Sequence, residues 1–450
     1  MTSIRRTAGR IARAMGWRPT PPSPRRTNGR IAFVGPMPPA ATGIATYDRA
    51  VIEGLERIGF TGPHPIDPIV PTRKTAVRAI EAYDLAVYQL GNHVDHHRHV
   101  YRLAWSVPGL VVLHDLALDD FVRGLQSIGD PLGFRAVGEA ASLRHRIGSS
   151  PDGIAEPLGV PWCASAARAA RGVIVHSAFG RRYLEGIGCL TPIFVVPHPV
   201  VESDQALMRA SARAAELRAG LGDRRLVVAP GDVNATKQHQ AILRALTRLP
   251  DDVRLAIVGR RAPDYEIHRL VERHGVRDRV TVSLDVPDPE FLAWIVAADV
   301  VVDLRHPHRG EVSGSLARAM QAGKPTIVSA VGTYLDVPDG AVVRVPAGRT
   351  DPEALREVIG DLLDRPDRRE RIGRAAGEYV RHLRETDATA NGYAEAILAT
   401  RELIRDPRRA MIARWARSLA EAGVDESLVR EGFGAAYVRA LESFSSGARS

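Results

Sequence analysis

The stretch DVVVDLRHPHRGEVSGSLARAMQAGKPTIVS, residues 299–329, reads as strand, loop, helix and strand in that order. A β-branched run over 299–304 gives way to a loop of Gly, His and Arg. Ser313 stands as an N-cap before a helix that runs through Met320 to Ala322, and 325–329 is a second β-branched run. Strand, helix and strand in such close succession are the mark of a parallel sheet covered by helices.

The same alternation extends outward almost from end to end. Strands are expected at 31–35, 84–90, 110–114, 172–176 and 193–196 in the first half, and at 225–229, 253–259, 279–283, 299–304, 325–329 and 341–345 in the second. Each half has enough strands for its own doubly wound sheet, and the polar helical segment 203–221 is the natural junction. The fold class is therefore α/β, with two Rossmann-like domains, 30–202 and 203–385. Residues 1–29 form a basic arm. From 351 onward the pattern turns helical, at 351–363, 367–383 and 388–404, with an amphipathic remainder to about 444. The segment 386–450 is expected to return toward the first domain. No short-period repeat is present.

Composition sets the outer limits. With 450 residues and 45% hydrophobic content the chain can bury a full core. The apolar run at 294–302 is broken by Asp299 and is too short to span a bilayer, so no transmembrane helix is expected. Two cysteines, Cys163 and Cys189, fit a reducing compartment, and a cytoplasmic location follows as the expectation. The net charge of +9 is unevenly placed: Arg5, Arg6, Arg10, Arg13, Arg18, Arg25, Arg26 and Arg30 lie in the first thirty residues, which carry no acid. A nearly neutral body argues against a nucleic-acid partner. The arm, with Ile4, Ile11, Met15 and Trp17 between its arginines, is either a solvated tail or a peripheral contact with an anionic membrane, such as the inner face of the plasma membrane.

In open α/β sheets, ligands bind beyond the carboxyl ends of the strands. After 31–35, Thr42 and Gly43 open a helix whose bare amides and positive dipole end suit a phosphate or sugar oxygen. Ser313, Gly314 and Ser315 do the same in the second half, while the carboxylate of Glu311 suits a hydroxyl-rich group. Lys237, in the loop after 225–229, is one of three lysines, with Lys74 and Lys324, among 61 basic residues. Its compact ammonium suits a diphosphate oxygen. His93, His96 and His97 have helical spacing, yet no Cys or Glu completes a metal set, and no metal is expected. His114, at the end of a strand, is the best-placed histidine. The G-x-G-x-x-G fingerprint is missing, which disfavours nicotinamide-dependent oxidoreduction.

Together these phrases resemble the retaining glycosyltransferases of family four, which have the GT-B fold, over residues 30–400. They are Val34-Gly35-Pro36 through Gly43-Ile44-Ala45-Thr46-Tyr47; Tyr88 to Asn92 with His96; Val111 to Asp115; Val173 to Ser177; Val195 to His198; Gly231 to Lys237; and Gly310-Glu311 through Ala319 to Pro325. The resemblance implies a donor of the UDP- or GDP-sugar type and no cofactor. Gly43, Lys237, Ser313, Gly314 and Ser315 would bind the donor, His114 would lie beside the anomeric carbon, and Glu311 would share the catalytic work. Asn92, His96 and Asp115 would meet a glycan or lipid-linked acceptor. The activity implied is metal-independent transfer of a hexosyl group in cell-envelope glycan synthesis. A non-catalytic sugar- or nucleotide-binding subunit and a nucleotide-sugar epimerase are the alternatives.

Two departures bear on these expectations. The family's two glutamates, with seven residues between them, fall here at Gly310 and Arg318, with Glu311 one place after the first. The arginine that precedes the lysine by five residues is Asp232, a gap that Arg305, Arg309 or Arg318 would have to fill.

Overall fold

The computed structural model describes residues 29–40, 42–143, 158–199 and 202–405. Residues 1–28 of the arm 1–29 and the remainder beyond 405 lie outside them. Through Ile397 the chain is one compact unit, and residues from Leu398 belong to a second.

Twelve strands are described, in two six-stranded parallel sheets. The first sheet has β1 (Ile31–Val34), β2 (Ile66–Ile69), β3 (Leu85–Leu90), β4 (Leu110–Leu113), β5 (Gly172–Val175) and β6 (Ile193–Val195), in the order β2-β1-β3-β4-β5-β6. The second has β7 (Arg225–Pro230), β8 (Val253–Gly259), β9 (Val280–Leu284), β10 (Val300–Asp303), β11 (Thr326–Ser329) and β12 (Val343–Val345), in the order β12-β11-β10-β7-β8-β9. The strand Ile66–Ile69 was not expected from sequence. It is a partly exposed edge strand interrupted by Pro68, the one place in a sheet where a proline removes no needed donor.

Both faces of the second sheet are covered, as a parallel sheet requires. Along β10, Val300 and Val302 enter one apolar cluster with Leu304 and Ile327, while Val301 enters another with Trp294 and Ala319. Strand order reverses between β1 and β3 in the first lobe and between β7 and β10 in the second. Those two switch points place the loops carrying Gly43, Asn92, Lys237 and Glu311 at the carboxyl ends of their sheets.

The helix Asp204–Leu221 follows the first sheet, capped by Ser203, whose Oγ accepts from the Ala206 amide at 3.1 Å. It packs through Ala210 on Leu292 and Ala293 of the second lobe. Helix Pro366–Glu385 also packs on that lobe, with Ile372 in its core. Beyond it Asp387 accepts from Arg57 at 2.7 Å. Thr389 Oγ1 donates to the Pro197 carbonyl at 3.0 Å, and the Tyr393 and Tyr47 hydroxyls share a hydrogen bond of 2.8 Å. Residues 387–393 are thus tied to the first lobe.

Candidate active site

The turn after β10 is densely hydrogen-bonded. Asp303, at the end of an apolar strand, is fully buried. One of its oxygens takes the Lys237 ammonium; the other accepts from Ser313 Oγ at 2.5 Å and from the Tyr334 hydroxyl at 3.0 Å. Ser313 Oγ in turn caps helix Gly314–Gln321 by accepting from the Leu316 amide at 3.2 Å. Burial presses the Lys237 ammonium below the usual lysine range, with Arg305 adding to the effect. Burial would also raise Asp303, but the charges of Lys237 and Arg305 hold its carboxyl below the usual value. Arg305 is 3.1 Å from Glu311 Oε1 and donates to Tyr334 at 3.2 Å. Burial opposes its charge, but Tyr334, Glu311 and Asp303 outweigh that and raise its pKa.

Lys237 lies just short of the next helix. It ends a short 3-10 turn, Ala235–Lys237, and Gln238 at φ 53° separates that turn from helix His239–Leu246. The detour brings Lys237 under Gly231. At φ 117° Gly231 adopts a backbone that suits glycine, and a Cβ there would lie 2.8 Å from Lys237 Nζ and 3.0 Å from Ser315 Oγ. The loops after β7 and β10 therefore close on one spot, with the Gly314 and Ser315 amides at its edge.

In the first lobe, Thr42 Oγ1 caps helix Gly43–Arg57 by accepting from the Ala45 amide at 3.0 Å. Gly43 is exposed, and a Cβ there would meet nothing within 4 Å. Ile44 of the same turn packs against Gly91. His114 Nε2 bonds to Gln89 Oε1 at 2.9 Å, and its ring meets Tyr47 edge-on at 4.6 Å. Burial, then His176, His97 and His198, holds its pKa well below the usual range, so it stays a neutral donor or acceptor. Asp115 accepts from the Asn92 amide at 3.0 Å; burial and the charge of Glu311 raise its pKa to about 6.

The structure uses some predicted residues differently. The side chain of Asn92 donates to Asp119 at 3.0 Å and accepts from the Phe121 amide at 2.9 Å, so it fixes its own loop. His96 is exposed on helix Val94–Ser106, with the His93 ring at 4.9 Å, while His97 is buried against the Gln89 carbonyl at 3.1 Å. Among the described residues no group of three or more His, Cys, Asp or Glu could hold a metal. Asp232 pairs with Arg260 at 2.9 Å. Of the three arginines considered in its place, Arg318 is bound to Glu202 at 2.6 Å and Arg309 to Asp120 at 2.7 Å, which leaves Arg305 in the cluster with Lys237. Asp303 and Tyr334 were missed from sequence. A lone acid at the end of a buried strand was the available signal for Asp303; Tyr334 had none.

A cavity of about 90 Å³ between the lobes is lined by His176, His198, Ser313, Leu316 and Tyr334 among others. It reaches neither Lys237 nor Glu311. Among the described residues no helix is long and apolar enough to cross a membrane.

Known proteins share parts of this chain's sequence and its fold. Residues 218–379 match the family described as "Glycosyl transferases group 1". A D-inositol 3-phosphate glycosyltransferase of Xylanimonas cellulosilytica is 35% identical over 200 residues, 43% of this chain and 46% of that protein. A GDP-mannose-dependent alpha-(1-6)-phosphatidylinositol monomannoside mannosyltransferase of Mycolicibacterium smegmatis is 31% identical over 196 residues, 40% of this chain and 50% of that protein. The chain spans about half the length of these curated relatives. Anabaena HepE, crystallised with UDP and glucose, superposes with a TM-score of 0.57 over 82% of this chain and 99% of its own, at 15% identity. The sucrose-phosphate synthase of Thermosynechococcus elongatus does so with a TM-score of 0.57 over 82% and 98%, at 21% identity. Its two six-stranded parallel sheets give the chain the GT-B fold, and within it residues 218–379 match the group 1 glycosyltransferases.

Proposed function

We propose that the protein is a retaining glycosyltransferase that moves a hexosyl group from a UDP- or GDP-sugar to a lipid-linked or polysaccharide acceptor in cell-envelope synthesis. The observation that carries this reading is the convergence of Lys237, Ser315 and the capped start of helix Gly314–Gln321 at one switch point, with Glu311 facing Asp115 of the other lobe. Relatives named for D-inositol 3-phosphate and phosphatidylinositol monomannoside support phosphorylated or lipid-linked acceptors, and the UDP held by Anabaena HepE supports the donor class.

In this mechanism Lys237 and the Gly314 and Ser315 amides stabilise the leaving diphosphate, and Gly43 lets it approach the first lobe's helix end. Glu311 holds sugar hydroxyls. Neutral His114 donates or accepts a hydrogen bond beside the anomeric carbon. The departing diphosphate oxygen helps to deprotonate the acceptor hydroxyl on the same face, with Asp115 and His96 on the acceptor side and Asn92 shaping that wall. Catalysis of this kind rests on positioning and charge and requires no metal.

One observation favours a non-catalytic binding subunit. Lys237 and Arg305 are matched by Asp303 and Glu311, so the cluster supplies no surplus positive charge. Hydrolysis of UDP- and GDP-sugars by the wild type, Lys237→Ala and Glu311→Ala separates the readings. Transfer predicts wild-type turnover that both variants lose. Equal nucleotide binding by all three without turnover would make the protein a binding subunit, and release of a C2-inverted sugar without acceptor would make it an epimerase.

A further inference from the structure

We infer that Arg309 is a positioning residue that couples closure of the two lobes to the orientation of Glu311; the link to turnover rests on the reading above. Arg309 meets the first lobe twice. Its carbonyl accepts from the amides of Leu116 at 3.1 Å and Ala117 at 3.0 Å. Its guanidinium donates to Asp120 Oδ2 at 2.7 Å and lies 3.6 Å from Asp119 Oδ1. The same residue's amide donates to Glu311 Oε2 at 2.7 Å, while Arg305 stands 3.1 Å from the other oxygen. One residue therefore grips the first lobe and fixes half of the Glu311 carboxylate.

The surfaces on either side are shaped for this contact. Gly310 has φ 72°, and a Cβ there would lie 2.8 Å from the Leu116 side chain, so glycine permits both the turn and the approach. This gives a physical reason for the carboxylate to sit at 311, because a side chain at 310 would hold the lobes apart. On the facing side Asn92 ties down both Asp115 and Asp119. The docking loop follows directly on His114, so each side of the contact adjoins a candidate catalytic residue. When the lobes part, the Arg309 carbonyl loses both partners. The Gly310 backbone is then free to rotate, and the Glu311 carboxylate loses its fixed direction.

Pulsed EPR distances and kinetics test this together. Spin labels at Glu53→Cys and Glu272→Cys report the separation of the lobes, since both sites are exposed and the native Cys163 and Cys189 are buried. Arg309→Ala is expected to lengthen and broaden the distance distribution. It should also lower kcat roughly tenfold with donor KM nearly unchanged, and Arg309→Lys should restore part of both. The melting temperature should barely move, because these ion pairs are half-exposed. An unchanged distribution with wild-type kcat would overturn the inference. If the wild type turns over no nucleotide sugar, the functional reading falls, and the distance measurement alone then decides whether Arg309 holds the lobes.

Discussion

The two strand-to-helix turns that face the cleft are built to different standards. After β1, the turn is held by one local cap, Thr42, and its first helical residue, Gly43, is exposed with open space around it. After β10, Ser313 is both a cap and a partner of Asp303, which also binds Lys237 and Tyr334, and the preceding loop is docked on the opposite lobe. A cap alone fixes a helix end to within thermal fraying, whereas a buried ionic cluster fixes it against the sheet. The second lobe thus presents a prearranged anchor, and the first contributes backbone amides whose value depends on what approaches them.

Breaking the anchor should have the largest effect. Lys237→Ala leaves Asp303 buried without its cation, and about 3–5 kcal/mol of stability should be lost, read as a shift in the denaturation midpoint. Lys237→Met with Asp303→Leu should recover most of that stability but no nucleotide-diphosphate binding. Recovery of binding would show that the ammonium serves only the fold.

The link between the turns should have an intermediate effect. Asp115 binds a proton more readily in the folded chain than in the unfolded one, because burial and Glu311 raise it from 3.8 to about 6. Its contribution to stability is present below the ordinary value and is lost as the pH rises through about 6. Asp115→Asn should therefore flatten the fall in stability between pH 4 and 7, measured by denaturation across that range. An unchanged slope would mean that Asp115 is not raised in the folded chain.

Changes in the open turn should be the smallest. Thr42→Ala should cost about 1 kcal/mol, the ordinary loss of an N-cap, measured by urea unfolding. Gly43→Ala should leave stability within ~0.5 kcal/mol yet weaken donor binding by crowding the amides, a split that thermal melts and titration calorimetry would resolve.

Much of this architecture was legible in the sequence because buried parallel strands advertise themselves as β-branched runs with a glycine, serine or lysine at the carboxyl end. Runs such as 253–259 and 325–329 needed no tertiary information. Ile66–Ile69 did, since an edge strand containing Pro68 is made by its neighbour β1 rather than by its own pattern. The local parts of the site, Thr42 and Ser313 as caps, could be read for the same reason as the strands. The partners of Asp303 could not, because Lys237 lies 66 residues away and Tyr334 is brought in by the connection after the next strand. Asn92 was read as a ligand contact when its side chain is spent on Asp119 and Phe121, a use that only the folded loop reveals.

The central claim is that the two helix starts and Lys237 share one crevice that holds a diphosphate. A crystal structure with UDP or GDP bound tests it most directly. Phosphate oxygens are expected within hydrogen-bond distance of Lys237 Nζ and the Gly314 and Ser315 amides, facing Gly43. A nucleotide seated elsewhere, with those groups untouched, would contradict it.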